Sequence, residues 1–337
     1  MSDPFHSILM NPMRIKLLLK HRPAQPEPDF EYKPGWIFTR DPDCRAYDWL
    51  VAFEDTPKGA GERLACPRER TMLLTWEPTS VKRYSPAFTR QFGHFLTNRP
   101  PEADRHPHYH FGQGYFPWFI ERSYHDVATA TLPPKTKIFS TVCSSKMMTQ
   151  TRHHDRFVFT STLAEEFPEL DWYGRGVKPI ERKIDALDAY RYHLAIENHI
   201  APGHWSEKLS DPILCECLTF YAGDPEIART LPADAIIPVP LDDVETAKKI
   251  IRTAIDNNEY EKRLPAIREA KRLLLERYNF HAQIIRVIES CAGQPVTPVR
   301  PERPVVVYSR KTLRYRNPLV GLSDGWHHFL NYLKGGR

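Results

Sequence analysis

The sequence predicts an α/β protein, and three observations carry the prediction. Short apolar runs of strand length recur through both halves of the chain: Met13 to Leu19, Trp49 to Phe53, Thr71 to Thr75, Gly93 to Leu96, Lys137 to Val142, Leu194 to Ile196 and Leu218 to Ala222. Loop or helix-length stretches separate them, as parallel strands joined by crossovers require. The composition is globular, 41% hydrophobic and 12% aromatic, and 337 residues suffice for two domains of ordinary size.

In the first half, Met13 to Leu19 reads as a buried strand followed by a Pro-rich loop from Pro23 to Pro34. Trp49 to Phe53 ends in Glu54 and Asp55, and Thr71 to Thr75 ends in Trp76, Glu77 and Pro78. Glu77 stands out, because a carboxylate at a strand end beside a tryptophan is partly desolvated and is thereby pushed toward the range of a general base. Glu54 and Asp55 compete for that role at a neighbouring strand end. His106, His108 and His110 alternate, with His94 nearby, so that three imidazoles could point one way as in a metal site. Pro107 interrupts the run and no carboxylate is spaced to complete the set, so packing or surface outweighs metal, with acceptor-pocket lining between them. The aromatic run Tyr109 to Phe119 suits core more than a sugar platform.

The polar, Pro-bearing segment Ala128 to Lys137 is the expected domain crossing, giving domains 1–130 and 131–300 and a tail 301–337. Lys137 to Val142 ends in Cys143, Ser144, Ser145 and Lys146, small and polar as a close backbone approach would want. Arg156 falls early in a helical segment running toward Glu166, where a guanidinium can fork two phosphate oxygens; Arg152 is its rival. Leu194 to Ile196 ends in Glu197 and Asn198, and a loop with Pro202 and Gly203 leads to Ser206, Glu207 and Lys208 at a helix start. A helix N-terminus favours an anion, and Lys208 in the first turn opposes the dipole unless an anion compensates. Glu207 is an acceptor-only group suited to ribose hydroxyls. The competing reading is a plain helix cap with charged surface residues. Pro212 is tolerated only in a first turn, which moves the expected helix start to near Asp211.

Asp242 to Asn257 has helical periodicity, Leu264 to Ile288 reads as one or two helices, and Gln294 to Pro304 as a Pro-rich linker. The tail places Arg310, Lys311, Arg314 and Arg316 beside Trp326, Phe329 and Tyr332. It reads equally as a membrane-surface anchor and as a returning helix packed on the first domain. The net charge of +5 permits an anionic partner such as a nucleotide without calling for nucleic acid. Six cysteines lie scattered without a CxxC pair, and Cys215 and Cys217 sit in an apolar run as core. With no apolar run of membrane-spanning length, the expectation is a cytoplasmic chain with reduced thiols.

Several segments together resemble the donor-binding signature of the family 10 glycosyltransferases, the α-1,3/1,4-fucosyltransferases, in their bacterial form. The matching residues are Ile196-Glu197-Asn198, His204-Trp205-Ser206-Glu207-Lys208, and Thr219 to Gly223 followed by Asp224-Pro225. Upstream lie Asp171 to Arg175 with Lys178-Pro179, and Arg156 with Phe157 and Leu163. They span roughly residues 136 to 250, a third of the chain. The resemblance implies a GT-B architecture, two Rossmann-like domains facing across a cleft, and an inverting transfer of L-fucose from GDP-fucose to a hydroxyl of a glycan acceptor. That acceptor would be an oligosaccharide or lipid-linked glycan of the kind built into bacterial surfaces such as lipopolysaccharide, reached in the cytoplasm or at the inner face of the membrane.

By the same resemblance Glu77 would be the base and Arg156 and Lys208 would bind the pyrophosphate. Glu207 would hold ribose, while Glu197 and Asn198 would line the fucose and nucleotide pocket. Ser206, Tyr173 and Arg175 complete the substrate-binding set. His204 stands where the family commonly has tyrosine, with Trp205 as a substitute for stacking. No DxD-type pair is placed to hold a metal at the phosphates, so neither metal nor other cofactor is expected. Two alternatives remain: a transferase of the same architecture using another GDP-sugar such as GDP-mannose, and a non-catalytic glycan-binding protein.

Overall fold

The computed structural model describes residues 12–19, 29–59, 61–77, 79, 82, 84–103, 106–112, 118–129, 131–146, 152–295, 297, 303–322 and 326. Of the residues singled out above, Pro23, Pro78, Phe329 and Tyr332 lie outside the described ones. The chain divides into two compact units, one of residues 1–112 with 285–337 and the other of residues 113–284.

The first unit opens with β1 (Met13–Leu19), β2 (Asp29–Lys33), β3 (Trp36–Thr39), β4 (Trp49–Phe53), β5 (Glu62–Arg63), β6 (Thr71–Thr75), helix α1 (Pro86–Thr89), β7 (His94–Thr97) and β8 (Tyr109–Phe111). Seven of these strands form one sheet in the order β2-β3-β1-β4-β6-β7-β8, parallel throughout except for the edge strand β2, which pairs antiparallel with β3. The expected Pro-rich loop is thus corrected where it is described: residues 29–33 pair back on β3 in a hairpin whose turn is Gly35, at φ +83°. The central strands are buried on both faces, which is why Trp49 to Phe53 and Thr71 to Thr75 read as near-continuous apolar runs without alternation.

The second unit contains α2 (Tyr124–Thr129), β9 (Lys137–Val142), α3 (His153–Glu166), β10 (Leu170–Tyr173), β11 (Tyr190–Ile196), α4 (Glu207–Leu214), β12 (Leu218–Ala222), β13 (Ile236–Pro238), α5 (Val244–Asp256), α6 (Glu259–Leu273) and the start of α7 (Phe280–Ser290). Its five-stranded sheet is wholly parallel, in the order β10-β9-β11-β12-β13. Aromatic rings knit its centre: Phe220 lies 5.5 Å from both Phe139, edge-on, and Tyr192, stacked.

Three expectations from the sequence change here. The division between units falls at residues 112 and 113 instead of near 130, because the segment beyond it packs into the second unit: the Phe119 N–H donates to Asp211, and Arg122 pairs with Asp188 at 2.7 Å. The chain returns to the first unit within α7, and its last part is no separate tail. There β14 (Val306–Val307) pairs antiparallel with β5, Val307 is fully buried in the first unit's core, and α8 (Arg310–Arg316) begins with the Arg310 N–H donating to Asp55. Finally, α4 starts at Glu207 and not near Asp211, with Pro212 inside it. The Ser206 cap and the burial of Leu209, Ile213 and Leu214 outweigh the backbone bond that the proline forfeits. No helix among the described residues is long and apolar enough to cross a membrane.

Gly174, in the segment that resembles the family's Y-G-R, has a steric reason to be glycine. Its φ is +146°, and a Cβ there would stand 2.3 Å from the Cys143 carbonyl oxygen at the end of the neighbouring β9. Gly174→Ala is therefore expected to lower stability by roughly 1–3 kcal/mol, read as a fall in the midpoint of thermal or urea unfolding. An unchanged midpoint would show that the close approach is not enforced.

Candidate functional site

A parallel sheet offers a binding crevice where consecutive crossovers leave in opposite directions, outside the carboxyl ends of the strands. In the second unit the chain goes from β9 outward to β10 and then back to β11 on the other side of β9, so the switch point lies between β9 and β11. The residues that follow those strands, and the starts of α3 and α4, carry most of the polar groups selected from the sequence.

Glu197, 1% exposed, directly follows β11 and holds the start of α4. Its Oε1 accepts the Ser206 backbone N–H at 2.8 Å and its Oε2 accepts the Ser206 hydroxyl at 2.7 Å. Ser206 Oγ in turn accepts the Lys208 N–H at 3.3 Å, capping the helix. The Lys208 ammonium reaches Ser206 Oγ at 3.2 Å, Glu207 Oε1 at 3.0 Å and Glu197 Oε2 at 3.8 Å. The compensating anion that a lysine in the first turn requires is thus in part internal, two carboxylates of the protein itself.

Burial pushes the Glu197 carboxyl above the usual range, with Lys208 pulling against it. Burial would raise Glu207 as well, but Lys208 and Lys183 outweigh it and hold that carboxyl down at about 2. For Lys208 burial favours the neutral amine, and Glu207 and Glu197 reverse this to keep the ammonium charged above its usual range. Beneath them Lys183 donates to the Glu207 carbonyl at 3.1 Å and pairs with the fully buried Asp211 at 2.7 Å. Burial pushes Asp211 up to about 6 despite Lys183.

Arg156, buried in the first turn of α3, donates from its guanidinium to the Asn198 side-chain oxygen, and its Nε is buried with no hydrogen-bond partner among the described residues. Its rival Arg152 is committed elsewhere, to Asp155 and Asp242 at 2.9 Å each. Lys208 feels the charge of Arg156, and His153, in the first turn of α3, is pushed below its usual range by burial and then by Arg156, Lys146 and Lys208, so three cations stand within electrostatic reach of His153.

His204 is also within electrostatic reach of Lys208. Burial, then His199 and Lys208, push it down to about 4, so it is neutral at physiological pH, its ring 5.2 Å from that of His199. Trp205 is 2% exposed and packs edge-on to Tyr278, and the Tyr173 hydroxyl is bonded to that of Tyr190 at 2.7 Å. Both rings are buried. Arg175 is exposed, and its carbonyl accepts the Ser145 N–H at 3.0 Å, tying the loop after β10 to the one after β9.

Glu77 belongs to the first unit, half-buried just past β6, with Trp76 edge-on to Phe53 at 5.2 Å. Glu54 and Asp55 are both engaged by backbone groups. Glu54, buried at the end of β4 with φ +65°, accepts from the N–H groups of Trp76 at 2.8 Å and Glu77 at 3.1 Å, from Lys82 at 2.6 Å and from the Tyr84 hydroxyl. Asp55 accepts from the backbones of Thr56 and Arg310. Glu54 thus fixes the backbone on which Glu77 stands. Lys183 and Asp211 are not distinguished by the sequence; the one signal is an acid, Asp211, set among Leu209, Pro212, Ile213 and Leu214.

No protein-family model matches the sequence, and no curated protein matches it. Among solved structures, an α1,3-fucosyltransferase with GDP-fucose superposes with a TM-score of 0.52 at 14% identity, covering 86% of this chain and 93% of that one. Another structure of an α1,3-fucosyltransferase gives a TM-score of 0.49 at 13% identity over 89% of this chain and 96% of that one. The fold is accordingly that of the GT-B glycosyltransferases, an α/β architecture with two Rossmann-like units.

The Glu207 pair carries a pH signature. Its folded carboxyl titrates near 2, below the ordinary 4.5, so the stability it contributes is present above 4.5 and is lost as pH falls toward 2. Glu207→Gln is expected to be less stable than the parent at pH 7, with the gap closing between pH 4.5 and 2 in urea titrations. A gap that stayed constant through that window would contradict the ion pair with Lys208.

Proposed function

We propose that the protein is a glycosyltransferase that moves L-fucose from GDP-fucose to a hydroxyl of a glycan acceptor, with inversion at the transferred carbon. The observation that supports it most is the convergence of Arg156, Asn198, Glu197, Ser206, Glu207 and Lys208 at the switch point of the second unit's sheet, on a glycosyltransferase fold. The solved neighbour is described as bound to GDP-fucose, and the sequence resemblance names the same donor.

In this reading the donor's diphosphate lies against Arg156 and Lys208. As the bond from the anomeric carbon to the diphosphate oxygen breaks, negative charge grows on the leaving group, and two cations already fixed by Asn198, Glu197 and Glu207 meet it without reorganising. Glu207, oriented by Lys208, accepts from a ribose hydroxyl, and Glu197 and Asn198 border the sugar and nucleotide. Glu77 takes the proton of the attacking acceptor hydroxyl, its backbone steadied by Glu54. Because side-chain cations neutralise the leaving group, the transfer proceeds without a metal at the phosphates. The acceptor is an oligosaccharide or lipid-linked glycan of a bacterial surface.

A titration with GDP, UDP, GDP-fucose and GDP-mannose tests the donor: GDP and GDP-fucose should bind and UDP should not. A preference for GDP-mannose would retain the class and change the sugar, and neither transfer nor donor hydrolysis would make the protein a non-catalytic binder. Lys208→Ala and Glu77→Ala should each reduce turnover about a hundredfold or more, roughly 3 kcal/mol of transition-state stabilisation. Near-parental turnover would remove that residue from its role. Added Mg²⁺ or Mn²⁺ should leave the rate unchanged.

A further inference from the structure

We propose that His94, His110 and Cys291 form a site in the first unit for Zn²⁺ or a divalent ion of similar ligand preference, held by two imidazoles and one thiolate with a fourth position for solvent. Their ligand atoms all lie within 4.8 Å of one another. This proposal stands apart from the donor reading, which concerns the second unit and uses no metal.

The sheet builds two thirds of the site. β7 and β8 are adjacent parallel strands with Leu96 opposite His110, and side chains alternate faces along a strand, so His94, two residues before Leu96, shares a face with His110. Cys291, 197 positions from His94, comes in just past α7 on the returning part of the chain. That distance in sequence is why reading the histidines alone found no completing ligand; the partner is a thiol and not the carboxylate sought.

The spacing suits a tetrahedral ion. Zn–N bonds of about 2.0–2.1 Å and a Zn–S bond of about 2.3 Å, opened at the tetrahedral angle, set N···N near 3.3 Å and N···S near 3.6 Å. Here His94 Nδ1 stands 3.1 Å from His110 Nε2, while Cys291 Sγ lies 3.8 Å from His94 Nδ1 and 3.6 Å from His94 Nε2, so the thiol turns toward Nδ1 when an ion is held. The outer partner is present too. His94 Nε2 lies 3.0 Å from the Glu69 carbonyl oxygen, which can only accept, so Nε2 carries the proton and Nδ1 is left with a lone pair beside His110 Nε2. A backbone carbonyl on the far nitrogen is the usual way a metal-binding imidazole is oriented. His94 is 3% exposed, which shields the ion, while Cys291 also lines a cavity of about 240 Å³ with Glu69, Trp49 and Met13, giving the ion an entry path.

An ion there would tie β7 and β8 to the returning chain. Binding replaces the thiol proton, so one proton is released for each ion taken up as the metal–sulfur bond forms.

The untagged full-length chain, stripped with a chelator and dialysed, is titrated with Zn²⁺ against a chromophoric competitor and, separately, with Co²⁺ followed by absorption. Stoichiometric uptake is expected, with visible bands of four-coordinate cobalt and a thiolate-to-cobalt charge-transfer band in the near ultraviolet. Cys291→Ser should abolish the charge-transfer band, and Cys291→Ser and His110→Asn should each weaken Zn²⁺ binding by roughly a hundredfold or more. Circular dichroism of the stripped proteins confirms that each variant is folded; if one is not, the parent's cobalt spectrum alone decides. Absence of uptake by the folded parent, a cobalt spectrum without thiolate charge transfer, or unchanged affinity in a folded variant would overturn the site.

Discussion

The candidate donor site depends on a charged knot that is partly withdrawn from water. Glu197 at the end of β11 grips the backbone and hydroxyl of Ser206, Ser206 caps α4, and Lys208 in that helix's first turn closes back on both Glu197 and Glu207. Each charge alone would be costly to bury, and each is tolerable because its partner is fixed beside it. The same bonds that make the knot stable also orient it, since the strand end, the helix start and the cation cannot shift independently.

A second layer supports the first. Lys183 and Asp211 form a buried pair below α4, and Lys183 also reaches the Glu207 carbonyl, so the helix is pinned from beneath as well as at its cap. On the other flank Asn198 links Arg156 to the end of β11, and the Arg152 N–H donates to the Asn198 carbonyl. The first unit uses the same device in another form. Glu54 gathers two backbone N–H groups, a lysine and a tyrosine, and so holds the backbone on which Trp76 and Glu77 stand.

Much of this was legible in sequence. The parallel sheets showed as continuous apolar runs, since strands covered on both faces need no polar alternation. The cluster at the start of α4 was legible because Ser206, Glu207 and Lys208 are neighbours in the chain, and the cap depends on local geometry. Gly174 was visible as part of a pattern, but its cause, the Cys143 carbonyl behind it, belongs to a different strand. Pro212 misled, because local propensity counts a lost backbone bond and takes no account of the apolar burial that outweighs it.

The order of residues by itself determined the α/β class, the strands of both sheets apart from the hairpin at residues 29–39 and the short strands β8, β10 and β13, and which polar groups stand at strand ends and helix starts. These follow from periodicity and neighbouring side chains, whose effects reach only a few residues. Tertiary structure decided everything that joins distant positions. It tied Arg152 to Asp242 and Arg156 to Asn198, engaged Glu54 and Asp55 with backbone groups, and buried Trp205 and Tyr173. It also returned residues 285–337 to the first unit and set Cys291 beside His94. The physical reason is the same in each case: which partner a charged or ligating group finds depends on how the chain is brought together, and no local pattern records that.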